Sequence, residues 1–234
     1  MFDESGRFFL THLRLYRLKN KMIEVKNLTK HFGEIKVLDG ISFSVSKREI
    51  LCLVGTNGAG RTTVLRLLAG VLKPDSGTIV MDDMPVYDNN NTKQHIFFIP
   101  SDPYFFWGAK PRDMGTFFAE KYTDFDSKRF LELLNICGID CEARISKFSK
   151  ALKTLLMLAC GLATSPKYLL IDDVLDELNS EERECFAKLL GEELTGGYMT
   201  PIIASSDFAD IQKLFTEEME DTGYVLKEFA LGEE

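Results

Sequence analysis

A chain of 234 residues, 45% hydrophobic and 27% charged, has the length and composition of one large globular domain or two small ones. Its 28 Lys and Arg against 36 Asp and Glu leave a net charge of -8, which excludes a broad nucleic-acid surface, because such a surface needs clustered cations to displace counterions. The longest apolar runs, such as LLMLACGLA at 155–163, fall far short of the ~20 residues of a membrane span, so a membrane role has to come through a partner.

Residues 1–21 carry Arg7, Arg14, Arg17, Lys19 and Lys21 against Asp3 and Glu4, a basic N-terminal extension in an acidic chain. FFLTHLRLYRLKNK within it suits either a basic amphipathic helix lying on a membrane or partner, or a loosely attached segment; it lacks the small-residue cleavage site of a signal peptide. From Met22 the pattern changes. MIEVKNL and ISFSVS read as strands, REILCLVG as a buried strand, and TTVLRLLAG as a helix. TIVMD and HIFFIP are further short strands bounded by turn residues. Residues 110–147 read as helical. KYLLIDD, PIIAS and GYVLKEF then read as strands, separated by helical stretches at 150–163, 180–194 and 208–216. This alternation implies an α/β fold with a mostly parallel sheet covered on both faces and a helical insertion at about 104–163. Residues 22–234 are expected to form a single domain.

The cysteines Cys52, Cys137, Cys141, Cys160 and Cys185 are odd in number and mostly in apolar settings, which reads as reduced thiols. Cys137 and Cys141 are spaced like two metal ligands, but no Cys/His cluster completes a site.

GTNGAGRTT at 55–63 follows the apolar strand ILCLV and opens a helix, the context a phosphate-binding loop requires. Gly55, Gly58 and Gly60 permit backbone angles that close successive amides around phosphate oxygens, with Thr56, Asn57 and Ala59 completing the loop, and the helix N-terminus adds a favourable partial charge. Arg61 stands where the pattern has lysine. Thr62 supplies a hydroxyl for magnesium and Thr63 a further phosphate contact. In YLLIDD at 168–173 an interior strand delivers Asp172 to the magnesium and Asp173 to where attacking water sits.

With these motifs in this order, the chain from Met22 onward resembles an ATP-binding cassette (ABC) domain. The resemblance implies a phosphate-loop nucleotidase core of ABC type, mainly a parallel sheet, with an antiparallel β subdomain and the helical insertion. IEVKNLTKHFGEIKVLDGISFSV is similar to the family's opening, and Phe32 falls where an aromatic stacks on adenine. FSKALKTLLMLACGLATSPKYLLIDD resembles the helix that caps the γ phosphate of the opposite subunit's ATP and runs into the magnesium-binding strand; Ser149 is its serine. DELN at 176–179 occupies a dimer-contact loop, and PIIASSDFADIQKLF resembles the switch-histidine strand and its helix.

Five stations depart from the family pattern. Arg61 replaces lysine with a larger, planar, bidentate group. Ser101 stands for a glutamine that touches magnesium and water, Ala151 for a glycine, and Ser206 for the switch histidine. Asp173 stands for the glutamate that orients water and is one methylene short, where a misplacement near 1 Å costs about a hundredfold. Candidate catalytic residues are therefore Asp173, Ser206 and Ser101, in an enzyme expected to bind ATP and Mg2+ and hydrolyse ATP slowly.

The resemblance implies an ATP-binding subunit of an ABC transporter, cytoplasmic and peripheral to the inner face of the membrane through separate permease subunits. The acidic net charge argues against a nucleic-acid partner. A second cassette is expected as partner, a heterodimer before a homodimer, since pairing with an intact cassette leaves each composite site only one weakened half. YFFW at 104–107 either lines the groove that receives the permease or belongs to the core. Two alternatives are a non-catalytic nucleotide-sensing cassette and a soluble ATPase of translation or repair, the latter expected to have tandem cassettes or a long coiled-coil insertion.

Overall fold

The structure, a computed structural model, describes residues 21–215 and 222–232. The amphipathic reading of the basic N-terminal stretch thus falls outside the described residues, except for Lys21, which begins the first strand.

β1 (Lys21–Phe32) and β2 (Ile35–Ser46) form a long hairpin closed at Gly33 and Glu34. β3 (Glu49–Val54) leads through the glycine-rich turn into α1 (Arg61–Leu68). β4 (Ser76–Met81), the short β5 (Met84–Pro85) and α2 (Asn90–Lys93) precede β6 (Ile96–Ile99). Three helices follow, α3 (Pro111–Lys121), α4 (Ser127–Ile136) and α5 (Lys150–Ala163). β7 (Tyr168–Asp172), α6 (Ser180–Thr195), β8 (Thr200–Ser205), α7 (Phe208–Phe215) and β9 (Val225–Ala230) complete the described chain. The helical reading of 110–147 holds for α3 and α4 but not beyond Ile136. Gly138, with φ of 66°, turns the chain there, and only a short 3-10 turn at Ile145–Lys147 precedes α5.

Two sheets result, an antiparallel one ordered β2-β1-β4-β5 and a five-stranded one ordered β6-β7-β8-β3-β9, whose neighbours are all parallel. The period-2 alternation of strand side chains divides the core in two. Ile50 and Cys52 of β3, with Leu169 and Ile171 of β7, point to the face covered by α5, α6 and α7. Leu51 and Leu53, with Tyr168 and Leu170, point to the face covered by α1 and the antiparallel sheet. Every residue of β7 and β8 is buried, which is why these strands read as unbroken apolar runs rather than alternating ones. Among the described residues no helix is long and apolar enough to cross a membrane.

Candidate functional site

The carboxyl ends of β6, β7, β8 and β3 lie along one edge of the parallel sheet, the place where open α/β sheets put their ligands. The turn after β3 opens there into a cleft of about 360 Å3, lined by Phe32, Val37, residues 56–63 and Asp173. Two glycines of the turn are required for different reasons. Gly60 has φ of 94°, and a Cβ there would come within 2.8 Å of Leu38 Cδ2, because β2 packs directly beneath the loop. Gly55, expected to supply backbone freedom, does not have a positive φ; it is needed for space, since its Cβ would lie 2.6 Å from the Leu231 carbonyl oxygen. Gly58, with φ of 90°, faces open space.

No side chain caps α1 and no acid sits in its first turn, so the positive end of the helix is left for an anion. The Thr62 hydroxyl donates to Asp172 Oδ1 at 2.9 Å, although 110 residues separate them. Burial pushes the Asp172 carboxyl up, while the Thr62 hydroxyl pulls the other way. A buried carboxylate beside a hydroxyl is a hard oxygen pair that suits magnesium, which keeps several waters and takes few protein ligands. No group of three or more His, Cys, Asp or Glu side chains able to hold a metal occurs among the described residues.

Arg61 is 6% exposed and crosses the cleft floor, its Nη2 donating to Asp173 Oδ2 at 2.8 Å and to Asn57 Oδ1 at 3.4 Å. Its Nη1 is buried with no hydrogen-bond partner, a donor aimed at nothing the protein supplies. Asp173 sits at φ of 52°, a left-handed conformation that turns its side chain off the line of β7 and toward the loop. An uncapped helix end, an unpartnered guanidinium nitrogen and a hydroxyl–carboxylate pair together fit a phosphate-bearing ligand with its magnesium.

The structure brings Phe32, residues 56–63 and Asp173 to one cleft, with Asp172 bonded to Thr62 beneath it. Ser101, Ser149 and Ser206 are not in the cleft's lining. Ser101, half-buried, follows β6, and Ser206, exposed, follows β8 on the same sheet edge. Ser149 caps α5, its hydroxyl accepting from the Leu152 amide at 3.0 Å. Asn179 in the DELN segment caps α6, and Lys150 bonds Glu177 at 2.9 Å, tying the start of α5 to that segment. Sequence reasoning missed the Arg61–Asp173 pair and the support from Val37 and Leu38. The available signal for the pair was a longer cation and a shorter carboxylate occurring in one chain.

A sequence profile described as ABC transporter matches residues 38–176, more than half of the chain. The ABC transporter ATP-binding protein YtrB of Bacillus subtilis (strain 168) is 29% identical over 193 residues, 82% of this chain and 66% of that protein. The energy-dependent translational throttle protein EttA of Haemophilus influenzae is 31% identical over 172 residues, 70% of this chain but 29% of that protein. The chain thus spans less than two-thirds of the length of these curated relatives. A dimeric ATP-binding cassette, MJ0796, in a post-hydrolysis state bound to ADP and Pi, shares the fold, with a TM-score of 0.74 at 19% identity over 91% of this chain and 97% of that one. The loop-to-helix cleft, the hydroxyl–carboxylate pair and a profile match spanning both of them converge, and the chain belongs to the ABC transporter family as an ATP-binding domain.

Proposed function

We propose that this chain is the ATP-binding subunit of an ABC transporter and that it retains ATP far better than it hydrolyses it. The observation that carries the slow step is the 2.8 Å bond between Arg61 and Asp173. Asp173 stands where water is oriented for attack, and a carboxylate already accepting from a guanidinium is a weak base for that water. Phosphate oxygens compete with Asp173 for the same guanidinium, so nucleotide binding and release of Asp173 are linked. Magnesium, when bound, neutralises phosphate charge; Thr62 and Asp172 are its protein ligands in this reading. Phe32 offers an aromatic face on the rim of the cleft for the base. Ser206 and Ser101, both short hydroxyls at the sheet edge, do not supply the reach of a histidine or glutamine.

Tyr104, Phe106 and Trp107 are exposed around a hollow of about 470 Å3 that also involves Arg144, Ile145 and Lys153. This exposure favours a docking surface over a core stripe, and membrane permease subunits are the partner we assign to it. A second cassette, different from this one, supplies the other half of each composite site, in a complex peripheral to the membrane.

The test compares ATP binding and turnover of the parent with Arg61→Lys/Asp173→Glu/Ser206→His and with Gly60→Asp. We expect the triple variant to turn over ~10²-fold faster or more, and Gly60→Asp to lose binding, because a carboxylate enters a cradle that lacks room for a Cβ. A triple variant no faster than the parent, still binding ATP, favours the non-catalytic nucleotide-sensing cassette, a reading that the Arg61–Asp173 bond also suits.

A further inference from the structure

Cys137 closes the C-terminal end of α4 and Cys185 lies on α6, 48 residues away in sequence, yet their sulfurs meet at 3.6 Å. The spacing in sequence suggests Cys141 as the neighbour of Cys137; the fold supplies Cys185 instead. Both thiols are free and half-buried at the margin of the core that joins α4, α5 and α6, within reach of a small oxidant. A disulfide has S–S near 2.05 Å, so the sulfurs, 3.6 Å apart, have to close by about 1.5 Å for the bond to form.

We propose that Cys137 and Cys185 form a reversible oxidation site, which a hydroperoxide converts into an intramolecular disulfide joining α4 to α6. The two thiols are chemically unequal. Hydrogen bonding between the two sulfurs, with Lys188 one turn along α6, lowers the Cys185 thiol from its ordinary value against the opposing effect of burial. Cys137, facing that sulfur and partly buried, is pushed up and keeps its proton. Cys52, in contrast, is raised to about 12 by burial, and Cys160 is raised by burial too, so neither competes.

In the first step the Cys185 thiolate attacks one oxygen of hydrogen peroxide. An S–O bond forms, the O–O bond breaks, and the departing hydroxide takes a proton to give water and a sulfenic acid on Cys185. Cys137 sulfur then attacks Cys185 sulfur; the S–S bond forms, the S–O bond breaks, and hydroxide leaves with the Cys137 proton as a second water. Two thiols and one peroxide become one disulfide and two waters, the two electrons passing from sulfur to oxygen. A dithiol reverses the change.

The disulfide would pin the helices before Ser149 to the helix that follows the Asp172–Asp173 turn. The site does not depend on the nucleotide reading. The test treats the reduced full chain with a few equivalents of hydrogen peroxide and measures intact mass and non-reduced tryptic peptides. We expect the monomer to lose the mass of two hydrogens, peptides 130–144 and 184–188 to be joined, and fragment ions to put the bond at Cys137 rather than Cys141. The link should persist in Cys141→Ser, vanish in Cys137→Ser and Cys185→Ser, and raise the thermal midpoint by several degrees until dithiothreitol removes it. Cys137→Ala and Cys185→Ala repeat the reading if serine disturbs the fold. A bond to Cys141, a bond only between chains, sulfinate on Cys185 without a disulfide, or no reaction overturns the proposal.

Discussion

The Arg61 guanidinium lies almost wholly out of water, so its partner carboxylate has a structural task. Removing one member of a buried ion pair ordinarily costs ~3–5 kcal/mol. Asp173 is 30% exposed, and water would partly replace it, so Asp173→Ala should destabilise the fold by only about 1–2 kcal/mol in chemical denaturation. Adding Arg61→Leu should return part of that loss, because no cation is then left unpaired; strictly additive effects would mean the two side chains are not coupled. The same pair makes a prediction for ligand. Asp173→Asn removes the charge that competes for the guanidinium, so calorimetry should show ATP affinity rising about threefold to tenfold, a gain near 1 kcal/mol, while turnover falls. A variant that binds more weakly would count against the linkage between nucleotide and Asp173.

Among the elements, α5 carries two constraints that separate structure from function. Its N-terminus is capped by Ser149, and Ser149→Ala should cost about 1 kcal/mol of stability with or without nucleotide. Ser149→Asp keeps a cap but adds a negative charge, so it should fold like the parent and fail to join a partner cassette across ATP, as light scattering would show. Further along, α5 lies so close to β6 that a Cβ on Gly161 would come within 2.7 Å of Phe97 Cδ1. Gly161→Ala is therefore expected to destabilise by about 1–3 kcal/mol, and Phe97→Leu in the same chain should recover part of it. Failure of that rescue would mean that the helix does not set its distance from the sheet through this contact.

For the molecule as a whole, the surface to test is the aromatic one beside the helical insertion. Trp107 is the chain's single tryptophan and is 98% exposed, so its fluorescence reports directly on anything that docks there. Association with permease subunits should shift its emission to the blue, and Tyr104→Ala with Trp107→Ala should weaken that association tenfold or more, about 1.4 kcal/mol, leaving ATP binding unchanged. A net charge of -8 on each copy also opposes self-pairing, and mixed pairing with a second cassette is the state expected in light scattering when ATP is present.

The sequence alone determined the strands and helices of the parallel sheet, the turn before α1 and the two carboxylates ending β7, because apolar periodicity and turn chemistry are properties of neighbours along the chain. It also carried the order of motifs on which family membership rests. Only the tertiary structure decided which distant side chains meet. β8 runs between β7 and β3, and that strand order brings the end of β7 to the start of α1; the motifs already put Thr62 and Asp172 on one magnesium, but that Arg61 finds Asp173 is settled by this packing. Helix packing likewise sets Cys185, rather than Cys141, against Cys137, and leaves Trp107 in water where its apolar neighbours in the sequence permit a core position equally well. Such pairings depend on packing between segments tens of residues apart, and no local pattern along the chain encodes them.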